Sequence, residues 1–174
     1  MEYISTRGSK VGTFQNALMK GLAQDGGLFI PNVWPQINTN DFDSDLSYED
    51  LTAKIIKPFI GSEIKDDELH NIIKSAYKDF SSPDPVTFKK LSKGETVVEL
   101  FNGPTLAFKD FAMQLLIPIF DHFLDKEGRQ MNLIVATSGD TGSAAIHAVN
   151  KSKNLNIYCL YPKNRISEFQ RRQM

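Results

Sequence analysis

The stretch Leu100-Phe101-Asn102-Gly103-Pro104-Thr105-Leu106-Ala107-Phe108-Lys109-Asp110-Phe111 decides how the rest of this chain is read. It continues an apolar run, Thr96 to Phe101, into an Asn-Gly-Pro turn, after which apolar residues recur towards Leu124. A strand, a turn and a helix in that order predict that Lys109 lies in the first helical turn, with its amine at the end of a sheet. An amine placed there, close to helix-terminal N–H groups, can hold an aldehyde cofactor as a Schiff base. A solvated surface lysine satisfies the same window, because helices carry exposed lysines by default, and at this point both readings stand.

Working outward, the downstream order is helix (Ala107 to Leu124), strand (Met131 to Ala136), helix (Ser143 to Lys151) and strand (Asn156 to Tyr161). With Thr96 to Phe101 this makes a βαβαβ pattern, which predicts parallel strands and a ligand crevice beyond their carboxyl ends. The second strand runs into Ala136-Thr137-Ser138-Gly139-Asp140-Thr141-Gly142, where two glycines and three hydroxyl side chains open a helix. Backbone N–H groups of such a loop favour an anion, and the hydroxyls add donors for a carboxylate or phosphate. The Gly-Lys-Ser/Thr ending of a nucleotide-binding P-loop is missing. Pro118 inside the long helix predicts a kink.

Upstream, Tyr3 to Arg7 reads as extended, and Thr13 caps a helix carrying Phe14, Ala17, Leu18 and Leu22. Asp25-Gly26-Gly27 is a turn before a short strand, Leu28 to Ile30, and Pro35 to Asp45 is a polar, aspartate-rich loop. Ser47 and Asp50 resemble a capping box, Pro58 should distort the last turn of that helix, and Gly61 stops it. In the next helix Leu69, Ile72, Ile73, Ala76 and Phe80 form one apolar stripe. Ser81-Ser82-Pro83-Asp84-Pro85 then separates a mostly helical region, 1–82, from an α/β region, 83–174.

The composition is that of a globular protein, and a formal net charge of −1 leaves no basic field for a nucleic acid. Arg165, Arg171 and Arg172 read as a solvated face near the last helix. Cys159, the only cysteine, falls in an apolar strand and is expected to be buried and inert. No run is long and apolar enough to span a membrane, and Met1 to Lys10 lacks the apolar core of a leader, so a cytoplasmic location is expected. His70 reads as a surface residue, neither His122 nor His147 forms a metal-ligand pair at i, i+3 or i, i+4 with a carboxylate facing the motif loops, and no metal site is expected.

Taken together, the two motifs resemble the threonine synthase family. The resemblance rests on Tyr3 to Arg7, on Gly21-Leu22 with Asp25 to Pro31, on Glu99 to Phe111 with its Gly-Pro-Thr-Leu-Ala-Phe-Lys-Asp string, and on Ala136 to Gly142. It continues through Leu160 to Lys163 and Ile166-Ser167, and is weakest between about Pro35 and Glu95. What it implies is the tryptophan-synthase-β-like fold of the fold-type II enzymes, with pyridoxal 5′-phosphate carried on Lys109. The implied reaction converts O-phospho-L-homoserine and water to L-threonine and phosphate. Thr137, Ser138, Gly139 and Thr141 would bind the substrate carboxylate, and Asp140 would contact the cofactor. Asn102 stands where many members have histidine, and the loop that grips the cofactor phosphate has no counterpart before Met174, so the chain reads as an inactive fragment of the enzyme. A threonine or serine dehydratase of the same fold, or a non-catalytic anion-binding module, is the alternative; no oligomeric state is implied.

Overall fold

In the computed structural model, which describes residues 1–42 and 45–174, the apolar stripes and caps of the sequence become seven short strands and six α-helices. The chain divides into two compact units, Met1–Lys74 and Ser75–Met174.

In the first unit β1 (Tyr3–Ser5) is the centre of a three-stranded antiparallel sheet, flanked by β2 (Lys10–Gly12) and β3 (Phe29–Pro31). The extended segment at Tyr3 and the strand expected before Pro31 are β1 and β3, whereas β2 is not anticipated by the sequence. Helix α1 (Phe14–Lys20) is capped by Thr13, whose hydroxyl accepts from Asn16 N at 3.2 Å. Both oxygens of Glu63 also accept from the head of α1, from Phe14 N and Gln15 N at 2.9 Å each, satisfying donors that a helix start leaves open.

Helix α2 (Tyr48–Ile60) starts at Ser47, whose Oγ accepts from Asp50 N at 3.0 Å, and ends at Gly61 with φ 70°. It runs through Pro58. Of the stripe predicted for α3 (Asp66–Tyr77), Leu69, Ile73 and Ala76 are buried, as is Phe80 just beyond the helix. Of the polar loop from Pro35 to Asp45, Asp43 and Ser44 lie outside the described residues, and Thr39–Asp41 forms a 3-10 turn.

The second unit corrects one pairing. The expected first strand is β5 (Glu95–Glu99), and it pairs antiparallel with β4 (Thr87–Ser92) instead of joining a parallel sheet. Lys93-Gly94 closes the hairpin, with Gly94 at φ 88°. A two-residue connection can join only antiparallel neighbours, and it forms locally before any crossover is needed. The parallel sheet consists of β6 (Met131–Ala136) and β7 (Leu155–Leu160), in register from Met131 with Leu155 to Ala136 with Leu160. The chain is thus α/β as read, with a single βαβ unit in place of βαβαβ.

Helix α4 (Lys109–Glu127) continues through Pro118 and ends at left-handed Gly128, φ 61°. Its Ile117, Phe123 and Leu124 are buried, each contributing about 1.5–3 kcal/mol of hydrophobic stabilisation. Helix α5 (Asp140–Val149) buries Ala144, Ala145, Ala148 and Val149, small residues that allow close packing on α4. Helix α6 (Glu168–Gln173) begins in a capping box of Ser167 and Gln170. Cys159 is half-buried rather than buried: it lies on β7 with Met174 Sδ at 3.5 Å, and desolvation raises its pKa. Among the described residues, no helix is long and apolar enough to cross a membrane.

Candidate active site

Lys109 is the first residue of α4, half-buried, with Phe108 at the cap position. Its Nζ lies 4.1 Å from the centre of the Phe108 ring and makes no ion pair or hydrogen bond among the described residues. The turn before it is tightly built. Leu106 adopts φ 62°, a left-handed conformation that a branched residue rarely takes, while its N–H donates to Gly103 O at 3.0 Å. Asp110, fully buried, faces back into this turn and accepts from Thr105 N at 2.8 Å and from Thr105 Oγ1 at 3.0 Å. Gly103 packs so closely that a Cβ there would come within 2.5 Å of Asp110 Oδ2.

Asn102 ties the turn to what precedes it. Its Nδ2 donates to Pro85 O at 3.0 Å and Thr87 Oγ1 at 3.2 Å, and its carbonyl accepts from Ser81 N at 2.8 Å. These bonds give the buried amide a structural task.

The second motif is organised by Thr137. Its Oγ1 accepts from Gly139 N at 3.0 Å and Gly142 N at 3.1 Å, which leaves its own proton to donate. The backbone N–H groups of Ser138, Asp140 and Thr141, and the hydroxyls of Ser138 and Thr141, have no hydrogen-bond partner among the described residues. Gly139, at φ 150°, turns the chain into α5 in a conformation that favours glycine. Asp140 places a carboxylate at the positive end of α5, where it accepts from Gln170 Nε2 at 3.2 Å.

The helices carrying the two motifs meet through residues that spacing did not single out. Gln114, one turn after Asp110, donates from Nε2 to Asp110 Oδ1 and to Ala144 O, at 3.4 Å each. Its Oε1 lies 3.3 Å from His147 Nδ1, so with the amide assigned this way His147 carries its proton on Nδ1. Desolvation, followed by repulsion from Lys151, lowers the pKa of His147.

A cleft of about 330 Å3 opens beside this network, lined by Pro104, Thr105, Ile146, His147, Asn150 and Gln173. Neither Lys109 nor residues 137–141 line it, and no bond joins Lys109 to that loop among the described residues. The i, i+4 spacing of Asp110 and Gln114 was a readable signal. The reach of Asp110 back to Thr105 was not, since it depends on the turn.

His70 lies on α3 with Nδ1 3.7 Å from Asp50 Oδ1, and no cluster of three metal-ligating side chains occurs among the described residues. The amine of Lys109, without a hydrogen bond or ion pair among the described residues, and the open donors of the 137–141 loop fit an aldehyde cofactor and an anionic substrate group respectively.

Residues 2–77 match the family described as "Threonine synthase N terminus". Over 100% of its length the chain is 43% identical to threonine synthase of Pseudomonas aeruginosa, of which it spans 38%. It is 40% identical to human "Threonine synthase-like 2", covering 100% of the chain and 37% of that protein. Among solved structures, the PLP-bound threonine synthase of Brucella melitensis superposes with a TM-score of 0.93 at 40% identity, over 100% of this chain and 38% of that one. By these matches the chain is similar over its whole length to threonine synthases, and it spans less than two-fifths of the length of the relatives it matches.

Proposed function

We propose that this chain supplies the cofactor lysine and the substrate loop of a pyridoxal 5′-phosphate-dependent threonine synthase acting on O-phospho-L-homoserine. In this reading 1–82 is the amino-terminal region and 83–174 begins the cofactor-binding domain. The observation that carries it is an amine at the head of α4, in the Gly-Pro-Thr-Leu-Ala-Phe-Lys-Asp turn, that no carboxylate engages among the described residues. The match to a PLP-bound threonine synthase supports the same assignment.

Nζ of Lys109 would hold the cofactor covalently, and Asp140 would contact it, as a donor only when protonated. When bound, the cofactor's pyridine ring accepts the electron pair released at the substrate Cα. The Lys109 amine would be placed to move protons at the substrate Cα and Cβ. The hydroxyls of Thr137, Ser138 and Thr141 and the N–H groups of Asp140 and Thr141 bind the substrate carboxylate, with Gly139 shaping the backbone to present them. A cytoplasmic location belongs to the same reading, in keeping with a single, unpaired cysteine.

The test is Lys109→Ala in the intact native protein. Phosphate release from O-phosphohomoserine should fall by at least about 1,000-fold, as expected when the group that both binds and shuttles protons is lost. Retention of wild-type release would overturn the assignment, and ammonia release from threonine in its place would mark a dehydratase. A binding module would keep its ligand affinity in the variant.

A further inference from the structure

We propose that Asp110 is the positioning residue for Lys109: its buried carboxylate clamps the 103–106 turn onto the head of α4 and so fixes where the amine emerges. This rests on the role assigned to Lys109 above.

Asp110 is 0% exposed, and no cation pairs with it among the described residues. A buried carboxylate without a counter-charge is costly unless hydrogen bonds satisfy it. Here the bonds from Thr105, at 2.8 Å to N and 3.0 Å to Oγ1, do most of that work, while Gln114 at 3.4 Å adds a weaker one.

An ordinary acidic residue in a first helical turn faces solvent and interacts with the helix's open N–H groups. Asp110 instead faces backward across the turn. The conformation it secures needs securing, because Leu106 at φ 62° persists only where the surroundings over-determine it. Gly103 completes the fit, leaving no room for a side chain against the Asp110 carboxylate.

Lys109 lies between the strained turn and its clamp in sequence, so releasing the turn moves the Lys109 backbone before it moves anything in the core. Gln114 passes the constraint to α5 through Ala144 O, which keeps the lysine's helix in register with the helix that carries the 137–141 loop.

The test uses the intact native protein with Asp110→Asn and, independently, Thr105→Val, which keeps the carboxylate and removes one donor. Amide hydrogen exchange at residues 104–109 should accelerate about tenfold or more in Asp110→Asn, since a buried donor loses its acceptor. Capture of pyridoxal phosphate on Lys109 by borohydride should fall about tenfold, and kcat about 100-fold with KM nearly unchanged, as for a misplaced reacting group. Thr105→Val should shift all three the same way by a smaller factor, with a smaller fall in Tm than Asp110→Asn shows.

Wild-type exchange, capture and kcat in Asp110→Asn would overturn the proposal. If Asp110→Asn does not fold, Thr105→Val decides alone: wild-type capture and kcat in that variant would overturn it. Failure of the wild-type protein to capture the cofactor on Lys109 would instead sink the function proposed above, and the exchange rates would still decide whether Asp110 holds the turn.

Discussion

At the scale of single residues, His147 shows how burial sets a charge state. Desolvation and the nearby Lys151 lower its pKa from the ordinary 6.5, against the raising influence of Asp110 and Asp79. The folded protein therefore resists a proton that the unfolded chain accepts. The stability this preserves is complete above the unfolded value of about 6.5 and is lost as pH falls towards the folded one. A plot of Tm against pH should bend downward below about pH 6.5, and His147→Gln should bend less. Equal bends would assign the acid sensitivity to other groups.

Asp25 shifts in the same direction for the opposite reason, because here the charged form is the one favoured. Hydrogen bonds from Ser5 Oγ at 2.7 Å, Gly27 N at 2.9 Å and Ser9 N at 3.2 Å hold its pKa well below the usual carboxylate range. The Asp-Gly-Gly turn was readable from residue type. Its reach to Ser5 and Ser9, across the whole of α1 in sequence, was not.

At the scale of elements, the approach of strand, loop and helix around the second motif turns on Gly142. A Cβ there would meet Thr137 Cγ2 at 2.5 Å and Cys159 Sγ at 3.0 Å. Gly142→Ala should therefore destabilise the protein by about 1–3 kcal/mol through overpacking, although alanine is the better helix former. Chemical denaturation would measure it, and a stabilised variant would show that the loop can give way.

The helix signals in the sequence translated well because they are local. Thr13, Ser47 and Gly61 act on donors and acceptors within one turn of themselves. Strand pairing was less legible. Thr96 to Glu99 looks the same whether it joins a parallel sheet or a hairpin, and the choice was made by Lys93-Gly94 and the strand before it.

At the scale of the molecule, the chain spans only 38% of the Pseudomonas aeruginosa protein it matches, and much apolar surface is exposed. Ile134, Tyr158 and Leu160 on the parallel pair, and Phe88 and Val98 on the hairpin, are all exposed. Parallel strands are ordinarily covered on both faces, and open apolar edges promote association. The 174-residue chain should therefore self-associate with rising concentration in sedimentation experiments. A monodisperse monomer at all concentrations would overturn this.

What the sequence by itself determined is everything set by neighbours along the chain: the helix caps, the apolar stripe of α3, the βαβ unit and the lysine at the start of α4. Only the tertiary structure decided that β5 turns back on β4, that Asp110 reaches back to Thr105, and that Gln114 links α4 to Ala144 and His147 on α5. The physical reason is range. Caps and periodicities act over a helical turn, whereas a buried carboxylate and a strand edge find their partners only after the chain has closed on itself.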